Sequence, residues 1–381
     1  MKKLGIGLIG CGNISGAYLK LAPLFEGLEL RAVADVNSEA ASARASEFGL
    51  RALRVDEMMA ADDVDIVVNL TVPEAHFEVS KRVLESGKHV YSEKPFVLHL
   101  EEAEALAEVA ASKGVRVGAA PDTFMGGAHQ AARETIDAGA VGRIVGGTCH
   151  VMSQGMESWH PNPDFFFRPG GGPILDLGPY YITNLVQMIG PVRAVTAITG
   201  TAFAARTIGN GPRNGEQVPV STPTTIHAVL EFTNGAIVTL GASWDVKAHR
   251  HKEMELYGSE GSLYVPDPNF FGGVVELADK DGEVREIHSD HHPFGKANSP
   301  DGDINRANYR CAGLADMAVA IQQARPHRCS MEMATHVVDV MTGILKAGET
   351  RQFVEMRTSC ERPPFLGAED AFYFIYLVRI V

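Results

Sequence analysis

Short apolar runs and helix-like stretches alternate along the first 120 residues of the chain. The runs are rich in β-branched residues, and between them apolar residues recur at the spacing of an amphipathic helix. This alternation is typical of a parallel sheet covered by helices on both faces. The run at residues 65–70 is largely apolar, as expected of a strand buried on both sides. The predicted strands are residues 4–9, 28–35, 65–70, 89–92 and 115–118, with helices at 13–20 and 100–111 and another helix that Ser38 caps.

The pattern changes near residue 122. Beyond it come a helix, a Gly- and Pro-rich loop at residues 169–173, and then runs in which apolar and polar residues alternate. Two such runs are joined by Thr-Asn-Gly, a strong hairpin signal. We therefore predict an α/β domain over residues 1–122 and an α+β domain with an antiparallel sheet over residues 123–381. The hairpin strands are 225–232 and 236–242, helices are expected at 305–323 and 331–345, a flexible loop at 206–219, and a packed apolar segment at 371–381.

Composition excludes several classes of protein. The chain has 381 residues, 45% of them hydrophobic and 21% charged, which is the balance of an ordinary globular protein. Its net charge of −13 opposes binding to nucleic acid or to anionic membranes. The chain lacks a run of about 18 apolar residues, so no membrane-spanning helix is expected. Five scattered cysteines without a Cys-x-x-Cys pair indicate a reducing compartment, and we expect a cytoplasmic protein.

The sequence Gly-Cys-Gly-Asn-Ile-Ser at residues 10–15 separates the first predicted strand from the first predicted helix. This is the dinucleotide-binding fingerprint with serine at the third glycine position. Gly10 permits the tight turn, and Gly12 lets the backbone approach a pyrophosphate. Asn13 and Ile14 lead into a helix N-terminus, which favours negative charge. The motif thus predicts a dinucleotide-binding Rossmann domain; the alternative is a glycine-rich turn that binds nothing.

Asp35 ends the second predicted strand, near the offset of about 20 residues expected of the acid that binds the ribose hydroxyls. A carboxylate at this position repels a 2′-phosphate, and neither Val36 nor Asn37 is an arginine that binds one. We therefore predict NAD as the cofactor rather than NADP, with Asp35 and Asn37 beside the adenosine ribose. The alternative is a solvated aspartate at a strand end.

Glu93, Lys94 and Pro95 directly follow the strand predicted at residues 89–92. They lie at the carboxyl edge of the sheet, where open α/β sheets bind ligands. The sequence leaves two alternatives for Lys94, a side chain that points into the binding cleft or a solvated surface lysine.

Four stretches together make the chain resemble the GFO/IDH/MocA family, which includes glucose-fructose oxidoreductase and inositol dehydrogenase. They are the glycine motif, Thr-Val-Pro at 71–73 with His76, Gly-Lys-His-Val-Tyr-Ser-Glu-Lys-Pro at 87–95, and Gly-Gly-Gly-Pro-Ile-Leu-Asp-Leu-Gly-Pro-Tyr at 170–180. The resemblance implies a Rossmann domain followed by a domain with an open, mostly antiparallel sheet. The face of that sheet commonly forms oligomer contacts, so a homodimer or homotetramer is expected. The cofactor contacts that the resemblance implies are Thr71, Pro73, His76, Glu93, Lys94 and Pro95.

By the same resemblance, Lys94 is the family's active-site lysine, and Asp176 and Tyr180 lie in its Asp-x-Gly-x-His/Tyr segment. The chain departs from the commoner pattern, since most members have His where it has Tyr180 and Asp where it has Thr183. Oxidation of a secondary alcohol needs a base for the hydroxyl proton and a positive charge for the developing alkoxide. We expect Lys94 to supply the charge and to ease the ionisation of Tyr180, which accepts the proton. Asp176 orients Lys94 or binds a substrate hydroxyl.

A polar and aromatic loop at residues 159–168 precedes the triple-glycine turn. A tryptophan face with hydrogen-bonding neighbours suits a sugar or polyol, which has apolar C–H patches between its hydroxyls. A loop that only holds its own turns is the alternative, and His160 is the alternative acid/base to Tyr180. The candidate substrate-binding residues are Asp122, Trp159, His160, Asn162, Arg168 and Trp244.

These features predict an NAD-dependent oxidoreductase that moves a hydride between nicotinamide and a secondary hydroxyl or ketone of a sugar, polyol or glycoside. Two alternatives are an NAD-dependent glycosidase, which oxidises its sugar only transiently, and a non-catalytic sensor of NAD or sugar. No metal is expected, because the histidine pairs at 249 and 251 and at 291 and 292 lack carboxylate or cysteine partners at ligand spacing.

Overall fold

The computed structural model describes residues 2–299 and 301–375. Within this part the chain forms two compact units. The first unit comprises the residues up to Gly127, those from Asp290 to Thr335 and those from Pro363 onwards, and the second unit comprises Ala128–Ser289 and His336–Arg362.

The observed division differs from the predicted one at two segments, residues 290–335 and the residues from Pro363 onwards. The prediction places both segments in the second domain with everything after residue 122, whereas the structure groups them with the first unit. Backbone contacts at the edge of the first sheet explain the difference for the segment 290–335. Ala119 donates its N–H to the Cys329 carbonyl at 3.1 Å, and Gly118 forms an antiparallel bridge with Ser330. An edge contact of so few residues leaves no periodic pattern in the sequence.

The first unit contains a six-stranded parallel sheet. Its strands are β1 (Leu4–Ile9), β2 (Leu28–Ala34), β3 (Arg51–Leu53), β4 (Ile66–Asn69), β5 (His89–Ser92) and β6 (Val117–Ala119). The order across the sheet is β3-β2-β1-β4-β5-β6, the order of a doubly wound dinucleotide-binding sheet. Every residue of β1 and β4 is buried, because parallel strands of such sheets are covered on both faces. The predicted Rossmann sheet is therefore confirmed.

The second unit contains a nine-stranded sheet and a two-stranded ribbon. The strands are β7 (Ile144–Met152), β8 (Val192–Gly200), β9 (Ala205–Thr207), β10 (Gln217–Pro219), β11 (Thr225–Phe232), β12 (Ile237–Ser243), β13 (Met254–Gly258), β14 (Ser262–Val265), β15 (Val275–Ala278), β16 (Val284–Ile287) and β17 (Val354–Glu355). The sheet order is β16-β15-β14-β13-β7-β12-β11-β8-β17, in which β7 and β12 pair in parallel and the other neighbours are antiparallel. The predicted antiparallel sheet and the β11–β12 hairpin are thus confirmed; Gly235 at the hairpin turn has a φ of 86°.

Helices cover both units. In chain order they are α1 (Ser15–Leu21), α2 (Ser38–Phe48), α3 (Val55–Ala60), α4 (His76–Glu85), α5 (Leu100–Lys113), α6 (Gly127–Asp137), α7 (Pro173–Asp176), α8 (Gly178–Ile189), α9 (Ala312–Gln322), α10 (Met331–Thr350) and α11 (Ala368–Phe372). Helix α9 begins seven residues later than predicted. Cys311 directly before it has a φ of 87°, in the left-handed region, so a helix cannot run through this residue.

Residues 206–219, predicted as a flexible loop, form a loop only at 208–216, between the two strands of a ribbon. They include the ribbon β9–β10, whose ends are fixed by buried side chains. Ile208 and Val218 lie in a hydrophobic cluster with Met156, and Arg206 is also buried. The loop prediction is wrong at both ends of the segment, because isolated apolar residues in a polar stretch can still pack in a core when the ribbon folds back onto it.

At the end of the described chain, Ala371 and Phe374 are buried, in line with the predicted packing of the segment 371–381. The rest of that segment, 376–381, lies outside the described residues. Among the described helices, none combines the length and the apolar character needed to cross a membrane.

Candidate active site

The two glycines of the motif differ in the space that a side chain would find at each position. Gly10 has a φ of 105°, and a Cβ built on it would lie 2.5 Å from the Leu70 carbonyl oxygen. A Cβ built on Gly12 would meet no heavy atom within 4 Å. The Gly12 carbonyl oxygen accepts hydrogen bonds from the backbone N–H of Ser15 at 3.2 Å and from its hydroxyl at 2.6 Å. Asn13 and Ile14 form the turn before α1. Gly10 therefore serves the fold, while Gly12 leaves space beside the backbone for a phosphate group.

Asp35 joins the end of β2 to this motif. One carboxylate oxygen accepts the Cys11 N–H at 2.7 Å, and the other accepts the Asn37 N–H at 2.8 Å. The Asn37 side chain accepts the N–H groups of Glu39 and Ala40 at the start of α2. The N-cap of α2 is therefore Asn37 and the predicted Ser38 cap is wrong, because the asparagine side chain has the reach that Asx turns use. Asn37 thus has a structural role besides its predicted place near the ribose.

Arg44 also reaches the glycine motif, and sequence reasoning missed it. Its guanidinium donates to the Gly12 carbonyl oxygen at 3.4 Å and to Glu47 at 2.7 Å. It lies about two helical turns along α2 from Asn37, so helical periodicity was the signal that could have found it. Burial and the negative charge of Asp35 raise the pKa of the Cys11 thiol to about 11, while the positive charge of Arg44 opposes them. Cys11 is thus a packed thiol rather than a reactive thiolate.

The loop after β4 is held by His76. Its ring nitrogens lie 2.7 Å from the Pro95 carbonyl oxygen and 3.0 Å from the Thr71 carbonyl oxygen, and the ring is buried. Burial lowers the pKa of His76, although both carbonyl oxygens oppose that effect. The Thr71 hydroxyl in turn donates to Asn69 at 2.7 Å. His76 therefore ties the Thr71 loop, which continues into Pro73, to the Lys94–Pro95 loop, and this makes it a positioning residue for the predicted cofactor contacts.

Glu93 fixes the backbone at Lys94. One of its carboxylate oxygens accepts the Lys94 backbone N–H at 2.8 Å. The other accepts the Tyr18 hydroxyl at 3.0 Å and an Arg310 N–H at 2.5 Å. Burial raises the pKa of the Glu93 carboxyl group, but the positive charges of Arg310 and Lys94 lower it by more. The pKa of Glu93 therefore lies below its usual value. Sequence reasoning missed Tyr18 and Arg310, since no local pattern links residues so far apart in the chain.

Asp122, predicted to bind substrate, forms hydrogen bonds within the first unit. It is buried, and one carboxylate oxygen accepts the backbone N–H groups of Cys311 at 3.0 Å and Gly313 at 3.1 Å. It thereby caps the start of α9. Burial raises its pKa to about 6, against the opposing charge of Arg310. The contacts indicate a helix cap rather than the predicted substrate contact, because both N–H groups lie at the start of a helix, where they have no acceptor within the helix.

In the second unit, two short helices carry Asp176 and Tyr180. Asp176 is the half-buried last residue of α7, and Tyr180 is buried in the first turn of α8. The neighbouring Tyr181 donates its hydroxyl to Asp267 at 3.1 Å, and burial raises its pKa well above the usual value. Of the two adjacent tyrosines, Tyr181 is therefore a packing residue, as adjacent positions on a helix point in different directions.

The loop at 159–168 has exposed aromatic and polar side chains at its start and its end. Trp159 is 56% exposed, and its ring meets the His160 ring edge-on at 5.4 Å. His160 also packs edge-on against Phe166 at 5.4 Å and accepts the Asn162 N–H on Nδ1 at 3.1 Å. Arg168 is exposed. The loop thus holds its own turn through His160 while leaving Trp159, Asn162 and Arg168 accessible.

Trp244 is predicted to bind substrate, but its ring is not exposed to solvent. It is wholly buried, and Phe166 and Phe167 pack edge-on against it at 5.8 and 5.7 Å. The period-two pattern places Trp244 at a strand end, but the aromatic residues of a distant loop cover it. Across the described residues, His, Cys, Asp and Glu side chains form no group of three or more suited to a metal ion.

Two family models match the chain. Residues 4–120 match the model of the GFO_IDH_MocA oxidoreductase family with an NAD-binding Rossmann fold. Residues 129–264 match the model of the GFO/IDH/MocA C-terminal domain. The two matches together cover well over half of the chain and fall in the two structural units described above.

Individual relatives agree with these matches. The chain is 27% identical to the levoglucosan dehydrogenase of Pseudarthrobacter phenanthrenivorans over 327 residues, which are 78% of this chain and 83% of the relative. It is 25% identical to the inositol 2-dehydrogenase of Rhizobium meliloti over 73% of this chain and 80% of the relative. A solved levoglucosan dehydrogenase in complex with NADH and levoglucosan has the same fold, with a TM-score of 0.79 at 21% identity, over 94% of this chain and 100% of that chain.

Proposed function

The chain belongs to the GFO/IDH/MocA family of oxidoreductases with an NAD-binding Rossmann fold, and from this membership we propose that its substrate is a sugar, polyol or glycoside. The reaction moves a hydride between the nicotinamide ring and the carbon that bears a secondary hydroxyl or ketone. The observation that carries the proposal is the open position at Gly12 beside Asp35, in a sheet of dinucleotide-binding order. Relatives named for levoglucosan and inositol support the substrate class.

The residues of the first unit fit a dinucleotide. The space at Gly12 suits a pyrophosphate, and Arg44 adds a positive charge beside the Gly12 carbonyl oxygen. Each carboxylate oxygen of Asp35 accepts one backbone N–H and keeps a further lone pair for a ribose hydroxyl. The negative charge of Asp35 opposes a 2′-phosphate, so NAD is preferred to NADP. Bound NAD supplies the hydride acceptor or donor.

We propose Lys94 as the group that stabilises the developing alkoxide. Its backbone is fixed by Glu93, which Tyr18 and Arg310 hold in turn. A charge that is already in place needs no reorganisation during the reaction, and this is what makes such groups effective. The buried network beneath Lys94 therefore acts as its support.

We propose Tyr180 as the base that accepts the substrate's hydroxyl proton. Tyr181 is engaged with Asp267, which leaves Tyr180 as the candidate of the pair. Asp176 stands four residues earlier, about one helical turn away, and binds a neighbouring substrate hydroxyl or orients Lys94. His160 remains the alternative base, and variants of both residues distinguish them.

The same proposal includes a homo-oligomer in a reducing compartment. Ile198 on β8 and Ile237 on β12 are 74% and 55% exposed, which favours a sheet face that another copy covers. All five cysteines are free thiols. Light scattering of the purified protein measures the number of copies, and a monomer would contradict this part.

A panel of sugars, polyols and glycosides, assayed with NAD and NADP while NADH and sugar products are followed together, tests the function. We expect one NADH per oxidised sugar and a higher kcat/KM with NAD. Release of aglycone without net NADH would instead identify a glycosidase. NAD binding with no turnover of any compound would favour a sensor.

A further inference from the structure

The loop between β9 and β10, residues 208–216, contacts the loop at 159–168 at several successive positions. We call residues 208–216 the ribbon tip. Both segments lie within the second unit. In one of these contacts the side chain of Asn210 donates to the Trp159 carbonyl oxygen at 2.8 Å. The backbone that carries the exposed Trp159 ring is therefore held by a residue of the ribbon tip.

The ribbon tip approaches the other loop closely. Gly209 donates its backbone N–H to the Glu157 carbonyl oxygen at 2.8 Å. A Cβ built on Gly211 would lie 2.8 Å from Pro161 Cβ, and Gly211 has a φ of 72°. Both the close contact and the left-handed backbone favour glycine at this position. The two loops thus pack against each other along their backbones as well as through side chains.

Arg213 forms the strongest link between the two loops. Its two terminal N–H groups donate to the two carboxylate oxygens of Asp164 at 2.5 and 3.2 Å, while its Nε donates to Glu216 within the ribbon tip at 2.8 Å. Such a two-point contact between a guanidinium and a carboxylate fixes orientation as well as distance. Hydrogen bonding from Arg213 holds the pKa of Asp164 below its usual value, so the pair stays charged at neutral pH.

The contacts of the ribbon tip reach three candidate substrate-binding residues of the loop at 159–168. Besides the Trp159 carbonyl oxygen, the side-chain oxygen of Asn162 lies 3.5 Å from an Arg213 nitrogen. Arg168 lies 3.9 Å from Asp164, the residue that Arg213 holds. The side chains of Trp159, Asn162 and Arg168 are nevertheless exposed. The ribbon tip therefore holds the loop while these three side chains stay accessible to a ligand.

The end of the same loop is tied to the segment that carries the other candidate residues of the second unit. Gly172 donates its N–H to the Phe166 carbonyl oxygen at 2.8 Å, and α7 with Asp176 begins at the next residue. Phe166 also shares a hydrophobic cluster with Ile208 of the ribbon tip. The position of the loop relative to Asp176 thus depends on both connections, and Arg213 lies in one of them.

We propose that Arg213 is a positioning residue, which holds the loop at 159–168 in its substrate-binding conformation before the substrate arrives. It acts through Asp164 and Asn162. A loop that is already ordered does not have to be ordered on binding, which lowers the cost of association. This inference deepens the proposed function and rests on it for the role of the loop in substrate binding.

Time-resolved fluorescence anisotropy measures the motion of the loop without any turnover. The chain has two tryptophans, of which Trp159 is 56% exposed and Trp244 is wholly buried. Trp159→Phe gives the signal of Trp244 alone. In Arg213→Gln we expect the anisotropy of Trp159 to decay faster on the nanosecond timescale. Because the ion pair is partly exposed, the melting temperature should fall by no more than about 3 °C.

Steady-state kinetics with NAD and levoglucosan, D-xylose or myo-inositol measure the effect on substrate binding. For a sugar that the wild type oxidises, Arg213→Gln should raise KM about five- to tenfold, since only the ordered fraction of the loop binds substrate. The kcat should change less than about twofold, because bound substrate orders the loop. Arg213→Lys should give an intermediate KM, as lysine keeps the charge without the two-point geometry.

Two further variants test the pair itself. Asp164→Asn should raise KM as Arg213→Gln does, and the double variant should be no worse than either single one, because each change alone removes the same interaction. Arg51→Gln is the matched control, since Arg51 forms a similar exposed two-point pair with Asp63 in the first unit. It should change neither KM nor the anisotropy of Trp159.

The two measurements separate failure of this inference from failure of the proposed function. Unchanged Trp159 anisotropy in Arg213→Gln would overturn the positioning role. Faster decay with an unchanged KM, or a loss of kcat at constant KM, would overturn the link to substrate binding. If the wild type forms NADH from none of the sugars, the proposed function is contradicted, whereas the hold of Arg213 on the loop is still decided by the anisotropy.

Discussion

Replacing Gly12 by valine separates the proposed phosphate site from the stability of the fold. A Cβ at Gly12 meets no heavy atom within 4 Å, and the φ of Gly12 lies outside the left-handed region. At Gly10 the same exchange forces a side chain onto a φ of 105° and against the Leu70 carbonyl oxygen at 2.5 Å. Two glycines of one motif should therefore respond in opposite ways.

The expected effects on stability follow from these contacts. At Gly12 the change should alter the free energy of unfolding by no more than about 1 kcal/mol, since the loss of glycine also reduces the entropy of the unfolded chain. At Gly10, the left-handed backbone costs about 1–2 kcal/mol. The overlap with Leu70 adds about 1–3 kcal/mol, a large share of a typical folding stability.

The expected effect on NAD affinity is much larger. A branched side chain at Gly12 occupies the space through which a phosphate approaches the backbone N–H groups. Each hydrogen bond to a charged group contributes about 1.5–3 kcal/mol. Loss of two such bonds should raise the Kd for NAD roughly 10² to 10⁴-fold, at about 1.4 kcal/mol per factor of ten.

Thermal unfolding by circular dichroism and calorimetric titration with NAD measure the two quantities in parallel. Gly200→Val is the matched control, because Gly200 also has no neighbour within 4 Å of its Cβ but lies at the end of β8. It should change neither quantity. An unchanged Kd for Gly12→Val would refute the phosphate site, and a loss of stability equal to that of Gly10→Val would refute the structural reasoning.

Three further predictions concern other parts of the site. Asp35→Ser should reduce the ratio of kcat/KM for NAD over NADP, because the charge that opposes a 2′-phosphate is gone; an unchanged ratio in steady-state assays would contradict the assignment. Lys94→Met should lower kcat by about 10² to 10³ with NAD binding retained, because the pyrophosphate and ribose contacts lie elsewhere. Tyr180→Phe should lower kcat comparably and remove one limb of the pH–rate profile. If Tyr180→Phe keeps near-full activity and His160→Ala loses activity, the role of proton acceptor belongs to His160. The folded-state pKa of Asp122, about 6, lies above its ordinary value near 4, so the folded protein binds more protons between these values and its stability falls as pH rises through them. Urea titrations of Asp122→Asn from pH 4 to 6 should lack this decrease, of up to about 3 kcal/mol, and an identical slope in wild type and variant would contradict it.

The local part of the cofactor site could be predicted from the sequence. The glycine motif, the strand before it and Asp35 lie within about one βαβ unit, so their spacing along the chain carries the geometry. The structure places Asp35 in contact with the Cys11 N–H of that motif. Lys94 follows a strand of four residues that the apolar pattern identifies without error. Periodicity and motif spacing are reliable here because the interacting residues lie close together in the sequence.

Other features depend on contacts that no spacing encodes. Glu93 is held by Arg310, 217 residues away in the chain. Trp244 is covered by aromatic residues of a distant loop, and the ribbon around Arg206 packs where the polar composition predicts a loop. Whether a polar side chain is buried and paired depends on what the folded chain brings against it.

By itself, therefore, the sequence determined the parallel first sheet, the glycine motif with its acid and the class of fold, because each depends on neighbours in the chain. The tertiary structure alone decided that Asp122 caps a helix and that Trp244 is buried. Burial and hydrogen-bond pairing are properties of packed surfaces from separate segments, and only the folded chain brings those surfaces together.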